Sequence, residues 1–266
     1  MELDWLQLIV LVPAVLAAIW AVVTFTLEWR RKQGDERKRR STLYINPFLL
    51  ACEELQSRFW NMLSDGDEQR SWHQDTGDTS QAEETLYLIA QYFGWERHIF
   101  RYGPYAQDGE VFQRTEAIRA AFATNRAGIP EGRRRGRVPF CFYRYQQKAL
   151  AQIILHINQG PAGWQAETIP YVAFMKRRDQ LADLLPPVQT TLEALRSGDF
   201  PVDLDPLVRG RLAEVQNHLV ELLDYLERKE QFTLFAGQRQ KRQRHPAWIE
   251  WSERKGWSCL LDDGAT

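Results

Sequence analysis

The stretch WLQLIVLVPAVLAAIWAVVTFTL, residues 5–27, carries no charged residue, and the interpretation of the remaining chain depends on it. An α-helix of this length extends about 34 Å, which matches the ~30 Å hydrocarbon core of a bilayer. Lipid offers no partners to open backbone polar groups, so a helix is the expected form. A cleaved signal peptide fits less well, because Glu2 and Asp4 stand where such peptides are basic. The stretch therefore predicts a retained transmembrane anchor.

The flanks of this anchor predict its orientation. No Lys or Arg precedes it, whereas a basic run follows it, comprising Arg30, Arg31, Lys32, Arg37, Lys38, Arg39 and Arg40. Basic flanks stay on the cytoplasmic side, so we expect the N-terminus outside a cell inner membrane and the bulk of the chain in the cytoplasm. The basic run is expected either to contact anionic lipid headgroups or to form a solvated helical extension that breaks near Gly34. A face of small residues inside the anchor suggests a homodimer contact through Ala14, Ala17, Ala18 and Ala21.

Composition limits the class of the part that follows the anchor. The chain has a formal net charge of −1, which disfavours a nucleic-acid partner bound through a broadly basic face. Cys52, Cys141 and Cys259 are widely spaced and odd in number, so no disulfide framework and no paired-cysteine metal site is predicted. This usage fits a reducing compartment.

Apolar periodicity predicts a mainly α fold with one transmembrane helix and a cytoplasmic domain of about six or seven helices. The expected divisions are a tail at 1–4, the anchor at 5–27, a basic juxtamembrane linker at 28–43, a helical domain at 44–235 and a basic, Trp-containing tail at 236–266. Helices are expected at about 47–64, 81–102, 110–125, 143–157, 171–185, 188–197 and 205–229. Residues 158–170, which contain Gly160-Pro161 and Gly163, are expected to form a turn-rich link.

Two segments of this domain resemble a known group of proteins. AQYFGW at 90–95, followed by FYRYQQKA at 142–149, resembles an uncharacterised bacterial family of single-pass, membrane-anchored helical proteins. The similarity covers roughly residues 44–157 and includes no catalytic motif. It implies the architecture and no activity.

Catalytic and metal-binding signatures are missing from the sequence. His73, His98, His156, His218 and His245 are scattered and lack the spacing of a metal-binding pair, and no nucleophile elbow or phosphate-binding loop is present. We therefore expect no cofactor, no metal and, on balance, no enzyme. If a pocket exists, the polar residues expected to line it are His98, Arg144 and Tyr145.

Three hypotheses for function remain. The leading one is a membrane-tethered scaffold or regulatory subunit that recruits a protein partner, of unknown identity, at the cytoplasmic face. The second is an enzyme of unrecognised type that acts on a lipid or a membrane-proximal substrate. The third is an anionic-lipid or nucleic-acid tether. Acidic partners would then meet two basic clusters, Arg133, Arg134, Arg135 and Arg137 in one and Arg239, Lys241, Arg242 and Arg244 in the other.

Overall fold

The protein is mainly α-helical, as the sequence predicts. A computed structural model describes residues 5–63, 80–103, 105, 107–123, 140–160, 163–177 and 206–230. The helices are α1 (Trp5–Arg40), a π-helix (Ser41–Ile45), α2 (Asn46–Leu63), α3 (Ser80–Tyr102), α4 (Gly109–Ala123), α5 (Arg144–Ile154), α6 (Tyr171–Arg177) and α7 (Pro206–Glu230). Two strands, β1 (Leu155–Gly160) and β2 (Gly163–Thr168), lie between α5 and α6. The chain divides into two compact units, residues 1–43 and 44–266.

Helix α1 dominates the first unit and continues through Gly34 without interruption. The predicted break there is wrong, because one glycine costs a helix only about 1 kcal/mol and its neighbours are good helix formers. Large apolar side chains on this helix are exposed, namely Leu16, Ile19, Trp20, Val22, Val23, Phe25, Leu27 and Trp29. Among the residues that the structure describes, no helix combines the length and apolar character needed to cross a membrane.

In the second unit, α3 occupies the central position. It packs against α2 on one side and α5 on another, while α7 packs against both α2 and α4. The sequence predicts this role, because the aromatic residues of α3 cover more than one face. In the core, the ring of Phe122 contacts the rings of Phe59, Phe93 and Phe140, and the rings of Phe59 and Phe140 also contact each other. The ring centroids of these pairs are 5.3–6.4 Å apart. Such edge-to-face aromatic contacts add to the stabilisation from buried area.

A buried arginine joins α7 to the end of α4. The side chain of Arg211 is 1% exposed, and its Nη1 donates to the carbonyl oxygens of Phe122 at 2.9 Å and Phe140 at 3.2 Å. The Phe122 carbonyl also accepts from the backbone N–H of Phe142 at 2.9 Å. Carbonyls in the last turn of a helix lack intrahelical partners, so Arg211 caps α4 from another helix. It also holds Phe140, which has a positive φ of 59°.

Gly94 permits the close approach of α3 and α5. A Cβ at this position would lie 2.4 Å from Ile154 Cγ2 and 3.0 Å from Leu155 Cγ. The glycine of the AQYFGW segment therefore has a packing role. It sets how near the residues of α5 come to those of α3.

The hairpin is the main departure from the sequence prediction. Residues 155–160 pair antiparallel with 163–168, with Leu155 opposite Thr168 and Gly160 opposite Gly163. The expected helix through Ile157 and the turn-rich link at 158–170 are therefore wrong. The Ile residues at 153, 154 and 157 fit a helical stripe, but β-branched side chains also favour a strand, and a glycine at each end of the connection suits a tight turn.

The other helix predictions agree with the structure to within a few residues where they can be compared. The helices expected at 47–64, 81–102, 110–125 and 205–229 correspond to α2, α3, α4 and α7. The apolar stripe of α2, including Phe48, Leu55 and Phe59, is buried. The end of the helix expected at 171–185, the helix at 188–197 and the tail at 236–266 lie outside the described residues.

Candidate binding groove

An open groove of about 620 Å³ lies between α3, α4 and α5. Each helix contributes one stripe of residues to it. The groove is lined by Phe93, Glu96, Arg97, Phe100 and Arg101 from α3, by Phe112, Thr115, Glu116 and Arg119 from α4, and by Gln147, Lys148, Ala151 and Gln152 from α5. The volume falls within the range of sites that bind small molecules or side chains of a partner.

The spacing of these residues explains why they face the groove together. On α3 they follow positions i, i+3, i+4, i+7 and i+8, and on α4 positions i, i+3, i+4 and i+7. Residues at these intervals share one face of a helix. The close approach of α3 and α5 at Gly94 then brings the α5 stripe alongside the stripe of α3.

A buried polar network forms one part of the groove wall. The Nε of Arg119 donates to Oε1 of Gln147 at 3.3 Å, and Nε2 of Gln147 donates to the carbonyl oxygens of Arg119 at 2.9 Å and Phe142 at 2.8 Å. The amide of Gln147 therefore uses both of its N–H groups and its oxygen. Because Gln147 is buried, this network fixes the position of the Arg119 guanidinium.

Two carboxyl groups flank Arg119. Glu96 Oε1 lies 3.7 Å from Arg119 Nε, and Glu116 Oε2 lies 3.8 Å from Arg119 Nη1. Both distances exceed a hydrogen bond, so these contacts are Coulombic. Glu116 also accepts from both terminal nitrogens of Arg144, at 3.0 Å from Nη1 and at close range from Nη2. The Glu116 carboxylate thus joins α4 to α5.

Glu96 differs from Glu116 because it is only 5% exposed. Burial raises the pKa of Glu96 to about 8, outweighing the opposing attraction of Arg119 and Arg144, while the charge of Glu116 raises it further. Near neutral pH this carboxyl is therefore mostly protonated. Burial, with the charge of Glu96 nearby, also raises the pKa of the Tyr92 phenol well above its ordinary value.

The rim of the groove carries uncompensated positive charge. Arg97, Arg101 and Lys148 have exposed side chains and form no ion pair within the part of the chain that the structure describes. Arg101 instead lies over the ring of Tyr102, 5.2 Å from its centroid. With Glu96 protonated and Glu116 paired to Arg144, the groove has a net positive charge.

An exposed aromatic residue stands beside this rim. Phe112 is 55% exposed, and its ring meets that of Phe100 edge to face with centroids 6.0 Å apart. Exposed aromatic side chains next to a polar rim are typical of interaction surfaces. The groove thus combines apolar and cationic contacts.

The structure does not place the three expected pocket residues together in this groove. His98 is buried among the rings of Tyr44, Trp95 and Tyr102, with centroids 5.2–5.6 Å away. Tyr145 is exposed and stacks on Tyr143 at 6.1 Å. Arg144 is the one that touches the groove wall, through its bond to Glu116. That His98, Arg144 and Tyr145 line one pocket stays a prediction.

The expected lipid and acidic-partner contacts are only partly described. Arg30, Arg31, Lys32, Lys38 and Arg39 have exposed side chains on α1, and Arg39 Nη1 lies 3.9 Å from Glu36 Oε1. Arg37 and Arg40 belong to α1, but their side chains lie outside the described part, as do those of Ala14 and Ala18 in the predicted dimer face; Ala17 and Ala21 are exposed. The two downstream basic clusters, Arg133, Arg134, Arg135 and Arg137 in one and Arg239, Lys241, Arg242 and Arg244 in the other, also lie outside it.

Sequence reasoning missed the groove residues themselves. The α3 stripe mixes Phe93 and Phe100 with Glu96, Arg97 and Arg101, and such a mixture resembles a solvated helix face. One signal was available: Phe93 and Phe100 are seven residues apart, with charges beside them, as expected for a face that meets another protein. Gln147 gave no signal, because its partners lie up to 28 residues away.

Comparisons with known proteins assign no family. No family model matches the chain, and no curated protein or solved structure is significantly similar to it. Among the residues that the structure describes, no group of three or more His, Cys, Asp or Glu side chains is placed to hold a metal ion.

Proposed function

We propose that this protein is a membrane-tethered recruiting subunit, in which α1 is the tether and the groove between α3, α4 and α5 holds a protein partner. The groove is the observation that supports recruitment best. It is concave, has a preorganised polar wall at Arg119 and Gln147, and exposes Phe112 beside cations that form no ion pair with any described residue. An exposed apolar surface rimmed by polar residues is typical of a site that a binding partner covers.

The tether is supported by α1. Its uncharged stretch at 5–27 lies within one helix, and the apolar side chains described on it, such as Ile19, Trp20 and Phe25, are exposed. Exposed apolar surface of this extent needs a lipid or protein cover. The basic residues after it, beginning at Arg30, favour an orientation with the groove-bearing unit in the cytoplasm.

The tether is tested by alkaline carbonate extraction of cell membranes. We expect the full-length protein to stay in the membrane pellet and a variant with 5–27 deleted to move to the supernatant. A full-length protein that is released by carbonate contradicts a spanning tether. The deletion leaves the groove residues untouched, so partner binding can be followed separately.

Recruitment is tested by photo-crosslinking from the groove in cells. Phe112→p-benzoylphenylalanine places the reactive group at the exposed ring beside the rim. Val172 on α6 is the matched control, because it is an exposed apolar residue, 65% accessible, that does not line the groove. We expect a discrete protein adduct at Phe112 that is absent at Val172. Equal adducts at both positions, or none at Phe112, contradict recruitment through the groove.

A further inference from the structure

The geometry points to an acidic, amphipathic segment of a partner protein, most simply an α-helix, as the occupant of the groove. The segment carries an apolar ridge that covers Phe100 and Phe112, flanked by Asp or Glu residues that meet Arg97 and Arg101 on one side and Lys148 on the other. This inference rests on the proposed function and specifies the partner that it requires.

The arrangement of charge supports an acidic occupant. Arg97 and Arg101 are one helical turn apart on α3, whereas Lys148 lies on α5, so cations stand on more than one side of the groove. None of the three forms an ion pair among the described residues, although the carboxyl groups of Glu96 and Glu116 are nearby. Those two carboxyls are engaged with Arg119 and Arg144. The rim cations are therefore available to a partner.

The apolar contacts support an amphipathic occupant. Phe112 is exposed, Phe100 is half-buried, and Phe93 and Ala151 lie in the same lining. An amphipathic helix that lays its apolar face into such a groove presents anchors at i, i+3, i+4 and i+7. Its neighbouring positions would then face the rim, where complementary charge sets orientation and association rate.

A protein segment fits better than a membrane surface. The lining includes residues on all three helices around a concave space, and its polar wall at Arg119 and Gln147 is recessed and prearranged. A flat, anionic bilayer would meet the rim cations and Phe112 but would leave this wall uncovered. A segment with side chains can reach both.

The first test uses the full-length Phe112→p-benzoylphenylalanine protein in cells, followed by sequencing of the crosslinked peptide by mass spectrometry. We expect a peptide with apolar residues at helical spacing and acidic residues beside them. A basic or uncharged peptide overturns the inference but leaves recruitment intact. A peptide from this same chain, or adducts with lipid alone, overturns both the inference and the proposed recruitment.

The second test changes the rim charge. Lys148→Glu and the double variant R97E/R101E are expected to lower the yield of the protein adduct at Phe112, the double variant by about tenfold, because like charges then face the acidic segment. Lys176→Glu is the matched control: Lys176 is also exposed but lies on α6, outside the groove. Circular dichroism checks that each variant is folded. An adduct yield that no rim variant changes overturns the inference.

A third measurement separates charge from shape. The crosslinked segment is synthesised, together with a copy in which every Asp and Glu is Asn or Gln, and both are titrated against full-length protein in neutral detergent. We expect the acidic peptide to bind more tightly, with an advantage that shrinks as salt rises from about 0.05 to 0.5 M. Equal affinity of the two peptides overturns the acidic character of the partner while leaving the groove as its site.

Discussion

Glu96 and His98 lie two residues apart on α3, and the protein surrounds them in opposite ways. Both are almost fully buried, at 5% and 2% exposure. Glu96 faces the groove, with Arg119 on α4 nearby and Arg144 on α5 acting on its charge. His98 faces a cluster of aromatic rings, and neither of its ring nitrogens has a hydrogen-bond partner among the described residues.

The difference shows what each side of α3 is built to do. Two residues along a helix turn the side chain by about 200°, so one helix separates a polar wall from a dry aromatic cluster. Burial shifts both groups toward their neutral forms: it raises the pKa of Glu96 to about 8 and lowers the pKa of His98 to about 4. The Glu96 side keeps charged side chains next to open space, as a binding surface requires.

Removing Arg119 should lower the stability of the protein by the largest amount, because it disrupts the polar contacts around Glu96. Arg119→Met keeps the aliphatic stem but leaves Gln147 Oε1 without its donor and Glu96 without its nearest positive charge. We expect a loss of about 3 kcal/mol in unfolding free energy at pH 9, where Glu96 is ionised, and a smaller loss at pH 6. Urea unfolding of the full-length protein at the two pH values measures it.

The control for Arg119 is Arg97→Met. Arg97 is an exposed arginine on the groove rim without an ion pair among the described residues, so its removal should change stability by less than about 0.5 kcal/mol. A loss at Arg119 that is the same at pH 6 and pH 9 would show that Glu96 is not the group involved.

The raised pKa of Glu96 should make the stability of the protein depend on pH. The folded-state pKa of Glu96, about 8, lies above its ordinary value of 4.5, so the folded protein binds more protons than the unfolded chain between these values. The stability that this provides is lost as pH rises, by about 1.4 kcal/mol per pH unit and about 2 kcal/mol from pH 6.5 to 8. Glu96→Gln should remove this slope.

Denaturant titrations of the wild type and Glu96→Gln across pH 6–9 test this slope. Glu110→Gln, which changes an exposed acid on α4, controls for the loss of one carboxylate. If the wild type and Glu96→Gln have parallel profiles above pH 6.5, Glu96 is ionised in the folded protein and the groove is less positive than we infer.

A smaller effect is expected from the spacing that creates the groove. Gly94→Ala adds a Cβ that would lie 2.4 Å from Ile154 Cγ2, forcing α3 and α5 apart. We expect a net loss of about 1–2 kcal/mol, because the overpacking exceeds the roughly 1 kcal/mol gain in helix propensity. Gly109→Ala is the matched control, since nothing lies within 4 Å of a Cβ at that position and it should be neutral or slightly stabilising.

Gly94→Ala also tests whether the groove side and the His98 side of α3 respond independently. Parting α3 and α5 should lower the crosslinking yield from Phe112 while the environment of Trp95, beside His98, stays unchanged. Tryptophan fluorescence does not distinguish Trp95 from the other tryptophans of the chain. The environment of Trp95 and His98 is therefore followed by nuclear magnetic resonance of labelled His98. A shifted His98 resonance in Gly94→Ala would mean that the two sides are mechanically coupled.

The sequence predicts the helices well and their mutual arrangement poorly. The apolar stripe from Phe48 to Leu63 and the helix start at Asn46-Pro47 are local signals, so α2 is found to within one residue. The hairpin was missed because Ile153, Ile154 and Ile157 satisfy both a helical and an extended pattern. Long-range partners such as Gln147 for Arg119, or Phe122 for Arg211, leave no trace in local spacing.

Buried polar residues on α7 and α3 show the same limit of local sequence patterns. On α7, an arginine in an amphipathic pattern predicts an exposed side chain, yet the Arg211 guanidinium is buried and donates to two carbonyl oxygens. Glu96 and His98 lie in a run of aromatic residues. Neither residue type indicates which side of a helix will face solvent. That outcome depends on which helix packs against which face, and this information is tertiary.

Replacing His98 should change the stability of the protein least. His98→Phe replaces two ring nitrogens that lack a partner in the described part of the chain by carbon, and we expect about 1 kcal/mol of added stability at pH 7. It should also change the acid limb. The folded-state pKa of His98, about 4, lies below its ordinary 6.5, so the stability that the wild type derives from a neutral His98 is lost as pH falls between these values.

Glu96 and His98 therefore oppose each other over one pH range. Between about pH 4.5 and 6.5 their slopes have opposite signs and similar size, so the wild type should be nearly flat there. His98→Phe should expose the Glu96 slope, so that stability falls continuously from about pH 5 to pH 8. His156→Phe, an exposed histidine on β1, is the control and should leave the profile unchanged. A flat profile in His98→Phe would mean that Glu96 is already ionised in the folded protein over this range, and the contrast between the wet and dry faces of α3 would then rest on His98 alone.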